Sequence, residues 1–226
     1  MLKAELHTHV RGDFKDRISY TARNLIDKAA ELNYDVLGIT NHNRVYSEEG
    51  IKEYALSKNI ILLLGIELEI EGKHTLIYNI TTEQAMEINH FRDLARLKME
   101  HSEILVIAPH PFHYGNYCLK RNILRYLSLF DAWEYSFFYS KICNPNKRTI
   151  NLAKRLHKPM VGCSDVHRLE NLEQTYTLIA AEEFSEKAII EAIKKGNTQV
   201  VTKPLPLFKF INIGTKAVLS IIKRMI

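Results

Sequence analysis

Nine residues of the kinds that hold divalent metals, His7, His9, Asp16, His42, Glu67, His74, His110, Asp165 and His167, recur at one place in successive repeats of the chain, just after a short apolar run. Imidazole and carboxylate donors in this mixture suit zinc, manganese or iron, and such metals activate water for hydrolysis. In an extended chain residues i and i+2 point to one face, so His7 and His9 can share an ion. A lone HxH is common by chance. Here five signals come in order: His7-Thr8-His9, Ile39-Thr40-Asn41-His42-Asn43, Gly65-Ile66-Glu67, Ala108-Pro109-His110-Pro111 and Gly162-Cys163-Ser164-Asp165-Val166-His167. Unrelated origins would require a separate reason for each.

The elements that must position these groups follow from the hydrophobic pattern. Residues Leu2–Leu6, Asp35–Thr40, Ile60–Ile66, Ile104–Ala108, Ala132–Tyr135, Met160–Cys163 and Thr177–Ala181 are short, mostly β-branched or aromatic, and end in polar residues, as buried strands do. Between them, Ser19–Leu32, Glu83–Lys98, Leu119–Leu129, Asn146–Leu156 and Ser185–Lys194 show apolar spacing near 3.6, which predicts helices. Ser47, Thr82 and Ser185, each followed by Glu, are the expected caps. Strand–helix alternation implies an α/β fold with a parallel sheet. An open sheet concentrates its ligands at one switch point, whereas nearly every strand here ends in a candidate ligand, so a closed or nearly closed barrel fits better. Glu71-Gly72-Lys73 predicts a hairpin turn that returns His74 beside Glu67.

With 226 residues and 46% hydrophobic content, the chain suits one barrel domain over residues 1–203, followed by a tail over 204–226. No uninterrupted apolar run is long enough to span a membrane, and the polar start leaves no room for a signal peptide, so a cytoplasmic location is expected. Cys118, Cys143 and Cys163 lack CxxC spacing and are expected to be reduced thiols. The net charge of +5 favours an anionic partner without distinguishing nucleotide, nucleic acid and sugar phosphate.

The segments Glu5-Leu6-His7-Thr8-His9, Ile39-Thr40-Asn41-His42, Gly65-Ile66-Glu67, His110-Pro111 and Ser164-Asp165-Val166-His167 resemble the polymerase-and-histidinol-phosphatase (PHP) superfamily over residues 1 to about 180. The resemblance implies a distorted (β/α)7 barrel with two or three divalent metals, zinc, manganese or iron, at the carboxyl ends of the strands. It also implies hydrolysis of a phosphate ester. Carried over, His7, His9, Glu67 and Asp165 hold the first metal, Glu67 bridges to a second held by His74 and His110, and Asp16, His42 and His167 hold the third. Asn41 stands where the family usually has Asp, which is expected to weaken the orientation of His42. The family's first acidic ligand has two candidates here, Asp16, which is preferred, and Asp13.

The implied chemistry is in-line attack by a metal-activated water on phosphorus, in a small phosphorylated molecule, a nucleotide or a short oligonucleotide. Asp165 and His167 are the candidates for positioning that water or protonating the leaving oxygen. Arg44, Arg148 and Arg168 are the cations best placed by sequence to bind phosphate. His90, His101, His113 and His157 read as structural or solvated, and the aromatics Trp133, Tyr135, Phe137, Phe138 and Tyr139 as packing rather than a base-stacking platform. From Pro204 the chain is basic and amphipathic, which predicts a helix packed across the bottom of the barrel or a contact between copies ahead of a membrane-surface segment. Two other functions compete. An amidohydrolase-like enzyme would share the HxH strand and late Asp, yet no strand-end Lys offers a carbamylated bridge; a non-catalytic metal-stabilised interaction module would be expected to lose some ligands.

Overall fold

Short β-branched runs bounded by polar residues form the sheet. In the computed structural model, which describes residues 1–215, β1 (Leu2–Glu5), β2 (Val36–Ile39) and β3 (Ile61–Ile70) pair in parallel. Glu71 and Gly72, both at positive φ, then turn the chain into β4 (Lys73–Tyr78), antiparallel to β3 as the hairpin reading expects. β5 (Leu105–Ala108) runs antiparallel to β4, and β6 (Ala132–Ser136) and β7 (Met160–Cys163) add in parallel. On the far side of β1 lie β8 (Thr175–Ile179) and β9 (Thr198–Thr202), giving the order β7-β6-β5-β4-β3-β2-β1-β8-β9. β9 is absent from the sequence expectation.

At one end of the sheet β7 meets β8 and β9 of the other end at a seam built by hydroxyls, Thr198 Oγ1 of β9 donating to Met160 O at 2.8 Å. Gly162 N–H donates to Thr177 Oγ1, which donates back to Gly162 O, both at 2.9 Å. Ser164 Oγ donates to Thr175 O at 2.7 Å and accepts from Thr175 N at 3.1 Å. Side chains thus satisfy the edge groups that a ladder would have paired, and the barrel is nearly closed. Gly162 permits the approach, because a Cβ there would meet Tyr176 O at 2.7 Å.

Helices cover the outside. α1 (Ala22–Glu31) starts from a Thr21–Asn24 capping box, and α2 (Ile51–Ser57) follows Gly50 at φ 73 rather than a Ser47 cap. The helix expected over 83–98 is two, α3 (Thr82–Met86), capped by Thr81, and α4 (Phe91–Glu100). Asp93 accepts from the backbone N–H groups of Asn89 and His90, which starts the second helix afresh. α5 (Asn122–Arg125) is one turn; α6 (Asn146–Arg155) and α7 (Glu186–Lys195) match expectation within a residue. Ile189, Ile190 and Ile193 of α7 join the interior cluster of Ala4, Leu63 and Ile107, so α7 closes the end opposite the carboxyl ends of the parallel strands.

The bottom is therefore occupied by α7, and residues 207–215 lie elsewhere. A helix over 207–215 stacks Phe210 on Phe138, just past the carboxyl end of β6, with centroids 4.6 Å apart. It lies on the mouth side; residues 216–226, the rest of the expected tail, are outside the described residues. Among the described residues no helix is long and apolar enough to cross a membrane.

Candidate metal centre

Strand register assembles the site. Beyond β1 and β7 the chain continues as a parallel bridge between Thr8 and Val166, with His9 N donating to Val166 O at 3.0 Å and Val166 N to His7 O at 2.9 Å. The flanking residues of each bridge partner share a face, so His7, His9, Asp165 and His167 come together. A second bridge, His42 to Glu67, does the same for β2 and β3. Asn43, His110 and Asp165 adopt positive φ at these strand ends, where the chain turns sharply to bring the neighbouring side chains to the mouth.

At the centre, His7 Nε2 lies 3.4 Å from Glu67 Oε2 and 3.3 Å from Asp165 Oδ1, and His9 Nε2 lies 3.4 Å from each. A tetrahedron with such edges has its centre about 2 Å from every corner, the bond length of a first-row metal to nitrogen or oxygen. His7 Nε2, His9 Nε2 and Asp165 Oδ1 are buried without a hydrogen bond among the described residues, an arrangement that a cation would satisfy. This donor set therefore fits a metal. Glu67 reaches further with its other oxygen: Oε1 is 3.4 Å from His110 Nε2 and 2.7 Å from His74 Nδ1. On its Oε2 side, His42 Nε2 is at 3.0 Å. Asp16 Oδ2 lies 3.2 Å from His167 Nε2, and the ring nitrogens of His9, His42 and His167 approach within 4.8 Å of one another. All nine sequence candidates thus converge.

Behind the ligand atoms, carboxylates fix the tautomers. Glu134, in the middle of β6 and fully buried, accepts from His7 Nδ1 at 2.8 Å. Asp13 accepts from His9 Nδ1 at 2.9 Å and from His42 Nδ1 at 3.1 Å, as well as from the backbone N–H of His42. Each of these three histidines then turns Nε2 toward the centre, the outer support that metal-binding imidazoles commonly have. Asp13 is occupied with this task, while Asp16 faces His167. The Asn41 departure acquires a reason: its Oδ1 accepts from Val10 N at 2.8 Å and its Nδ2 donates to Val10 O at 3.3 Å. A carboxylate cannot donate, and the orientation of His42 comes from Asp13 instead.

Burial acts to raise the carboxyl pKa of Glu67, yet His74, His7, His110 and His42 around it hold it well below the usual range. For Asp165 burial is likewise outweighed, by His7 and His167. Both are therefore anionic near neutral pH, as metal ligands must be. Glu5 differs: burial pushes it up to about 8 although it accepts from the backbone N–H groups of His7 and Ser164.

The site opens into a cavity of about 330 Å³ lined by Lys15, Asp16, His74, His110, Tyr117 and His167, among others. Among the described residues Lys15, its Nζ 3.0 Å from Glu69 Oε2 and 3.1 Å from His74 Nε2, is the Lys or Arg that lines it. The three arginines singled out by sequence are not among its lining residues: Arg44 is exposed, Arg148 lies over the Phe112 ring, and Arg168 is exposed near Glu170. Sequence reasoning missed Lys15, Glu134 and the double role of Asp13. A Glu within an apolar strand, Ala132-Trp133-Glu134-Tyr135, was the available signal.

The remaining histidines lie outside the ligand cluster. His90 and His101 pair with Glu71 and Glu103 at half-exposed positions, and His157 is exposed. His113 is buried against Asn146 Oδ1, and burial together with neighbouring His110 pushes its pKa down to about 4. The unfolded chain binds a proton here below about pH 6.5 and the folded chain does not, so this contribution to stability is intact above that pH and is lost as pH falls toward 4. Urea unfolding near pH 5 should show about 2 kcal/mol less stability from this residue than near pH 7, a difference that His113→Gln removes. Equal pH slopes in the two proteins would contradict it. Trp133, Tyr135, Phe137 and Tyr139 are buried, in line with packing.

Known proteins share this architecture. The family model for PHP-associated sequences matches residues 144–198. No curated protein matches the sequence. Among solved structures, a two-domain protein from Bacteroides vulgatus containing a predicted PHP-like metal-dependent phosphoesterase is similar with a TM-score of 0.67 at 18% identity, over 89% of this chain and 64% of that one. PsfC from Pseudomonas syringae gives 0.66 at 16% identity, over 97% and 98%. The lesion-specific endonuclease PfuEndoQ from Pyrococcus furiosus gives 0.59 at 13% identity, over 94% and 66%. This chain thus spans just under two thirds of the first and third proteins and nearly all of the second. At these identities the likeness is one of fold. Taken with the matched segment and the strand-end motifs, the chain is similar in fold to proteins of the polymerase-and-histidinol-phosphatase superfamily.

Proposed function

We propose that the protein is a metal-dependent phosphoesterase that hydrolyses a phosphate ester of a small molecule or nucleotide, using two or three divalent ions of zinc, manganese or iron. The observation that carries this reading is Glu67, whose two oxygens each face a different set of imidazoles, so that one carboxylate can serve two ions. His7, His9, Glu67 and Asp165 would hold the first ion, Glu67, His74 and His110 the second, and Asp16, His42 and His167 the third. Bound there, the metals would supply an activated water at neutral pH and neutralise charge on the phosphate oxygens.

The chain's own groups do the rest. Lys15 offers a charge-assisted hydrogen bond to a phosphate oxygen in the cavity, steadied by Glu69. His167, partly exposed and with Nδ1 directed at the backbone carbonyl of Asp165, would turn Nε2 to the third ion, so that His167 and Asp165 would help position the attacking water rather than donate a proton. Because Glu67 can itself provide the bridging carboxylate, a carbamylated lysine of the amidohydrolase kind is not needed. The name of PfuEndoQ makes an oligonucleotide the narrower substrate to try first.

The test is hydrolysis of p-nitrophenyl phosphate, its bis-ester and a short oligonucleotide by metal-loaded protein, with abolition by EDTA expected. Turnover that survives complete chelation would overturn the reading. Lys15→Ala should raise KM for the ester about tenfold with a smaller effect on kcat, as loss of one hydrogen bond to a charged group predicts. An unchanged KM would remove Lys15 from phosphate capture.

A further inference from the structure

On the mouth side the loop after β6 (137–145) touches both the loop after β5 (109–121) and the stretch 205–215. Tyr114 Oη lies 3.1 Å from Cys143 Sγ, Leu205 N donates to Tyr139 O at 2.9 Å, and Phe210 stacks on Phe138. None of the three contains Asp or Glu, whereas Lys120, Arg121, Lys141 and Lys209 all fall within them. From the same surface large apolar side chains project outward, with Ile142 80%, Phe208 76%, Tyr114 68% and Ile211 53% exposed. Single exposed apolar residues are ordinary, but four on three contacting segments form a patch. The charge pattern continues along the sequence: residues 192–226 hold seven Lys or Arg and no Asp or Glu, so with +5 overall the first 191 residues sum to −2.

We propose that this face docks on an anionic lipid bilayer, with Tyr114, Ile142, Phe208 and Ile211 entering the interface and the surrounding lysines meeting the headgroups. Exposed apolar side chains on segments that carry cations and no acids are what a peripheral membrane surface requires. A nucleic acid would use the charge but gain nothing from exposed Ile142 and Ile211. Tyr117 of the first loop lines the metal-site cavity, so the bound protein presents that cavity on its bilayer side. The proposal stands whether or not the centre hydrolyses phosphate esters.

The full chain is mixed with vesicles of phosphatidylcholine alone and of an equimolar phosphatidylcholine–phosphatidylglycerol mixture, and the bound fraction is read by flotation. Binding to the anionic vesicles only, weakened by salt, is expected, with at least about tenfold weaker binding for Ile142→Asp/Phe208→Asp. Both positions are exposed, and an unchanged circular dichroism spectrum confirms the fold. No flotation, equal flotation with neutral vesicles, or a variant that floats like the parent overturns the proposal. So does a dimer, dispersed by the double variant, that ignores vesicles, which makes a second copy the occupant. Retention on a DNA duplex without vesicle binding overturns it in favour of nucleic acid.

Discussion

Glu67→Gln is expected to strip the protein of metal and to lower hydrolysis of any phosphate ester it accepts by at least about a thousandfold. The substitution preserves shape, so the effect isolates charge and coordination. Glu67 is buried, and its carboxylate is the group on which His7, His9, His42, His74 and His110 converge. An amide has one oxygen and no net charge, so it cannot serve two cations among five imidazoles. Metal per chain, measured by plasma mass spectrometry after purification without added metal, should fall from two or three to one or none. Full stoichiometry in Glu67→Gln would show that the convergence on this carboxylate is structural.

Glu134→Leu should weaken metal binding about 10–100-fold, the usual cost of losing an outer partner of a ligating histidine. Glu134 touches no candidate metal position; its Oε2 holds Nδ1 of His7 at 2.8 Å in a fully buried pair. Leucine fills similar volume and removes the acceptor, leaving the His7 N–H buried and unpaired and its ring free to change tautomer. Competition with a chelating dye reads the affinity, and Glu134→Gln, which keeps an acceptor, should recover part of it. An affinity unchanged in the leucine variant would mean that His7 needs no such support.

How much was legible in the sequence depended on whether a residue's role was set by its place along the chain or by what lies across from it. Most of the candidate ligands could be read because they lie at or just past the carboxyl ends of the parallel strands, which share one mouth. The Glu71-Gly72 hairpin could be read because turn chemistry is local, and it delivers His74 to Glu67. Glu134 could not be read as the partner of His7, since 127 residues separate them and only β6 packing brings them together. The seam made by Thr177, Thr175 and Ser164 is similarly non-local. Side-chain direction explains the arginines: Arg44 and Arg168 follow ligands in sequence but point to solvent, while Lys15, between two acids, reaches the cavity. An amphipathic terminal segment needs an apolar face to cover, either on the barrel or on a second copy, and which face it covers is non-local: α7 fills the bottom, and Phe210 packs on Phe138 at the mouth side.

The most direct test of the central claim is to remove metal with a chelator and follow p-nitrophenol release from the mono- and bis-esters as manganese, zinc or iron(II) is titrated back. The account predicts that hydrolysis disappears with the metal and returns saturably as two or three ions bind per chain. Ions that bind in that number and restore no ester hydrolysis, on either substrate or on a short oligonucleotide, would contradict it.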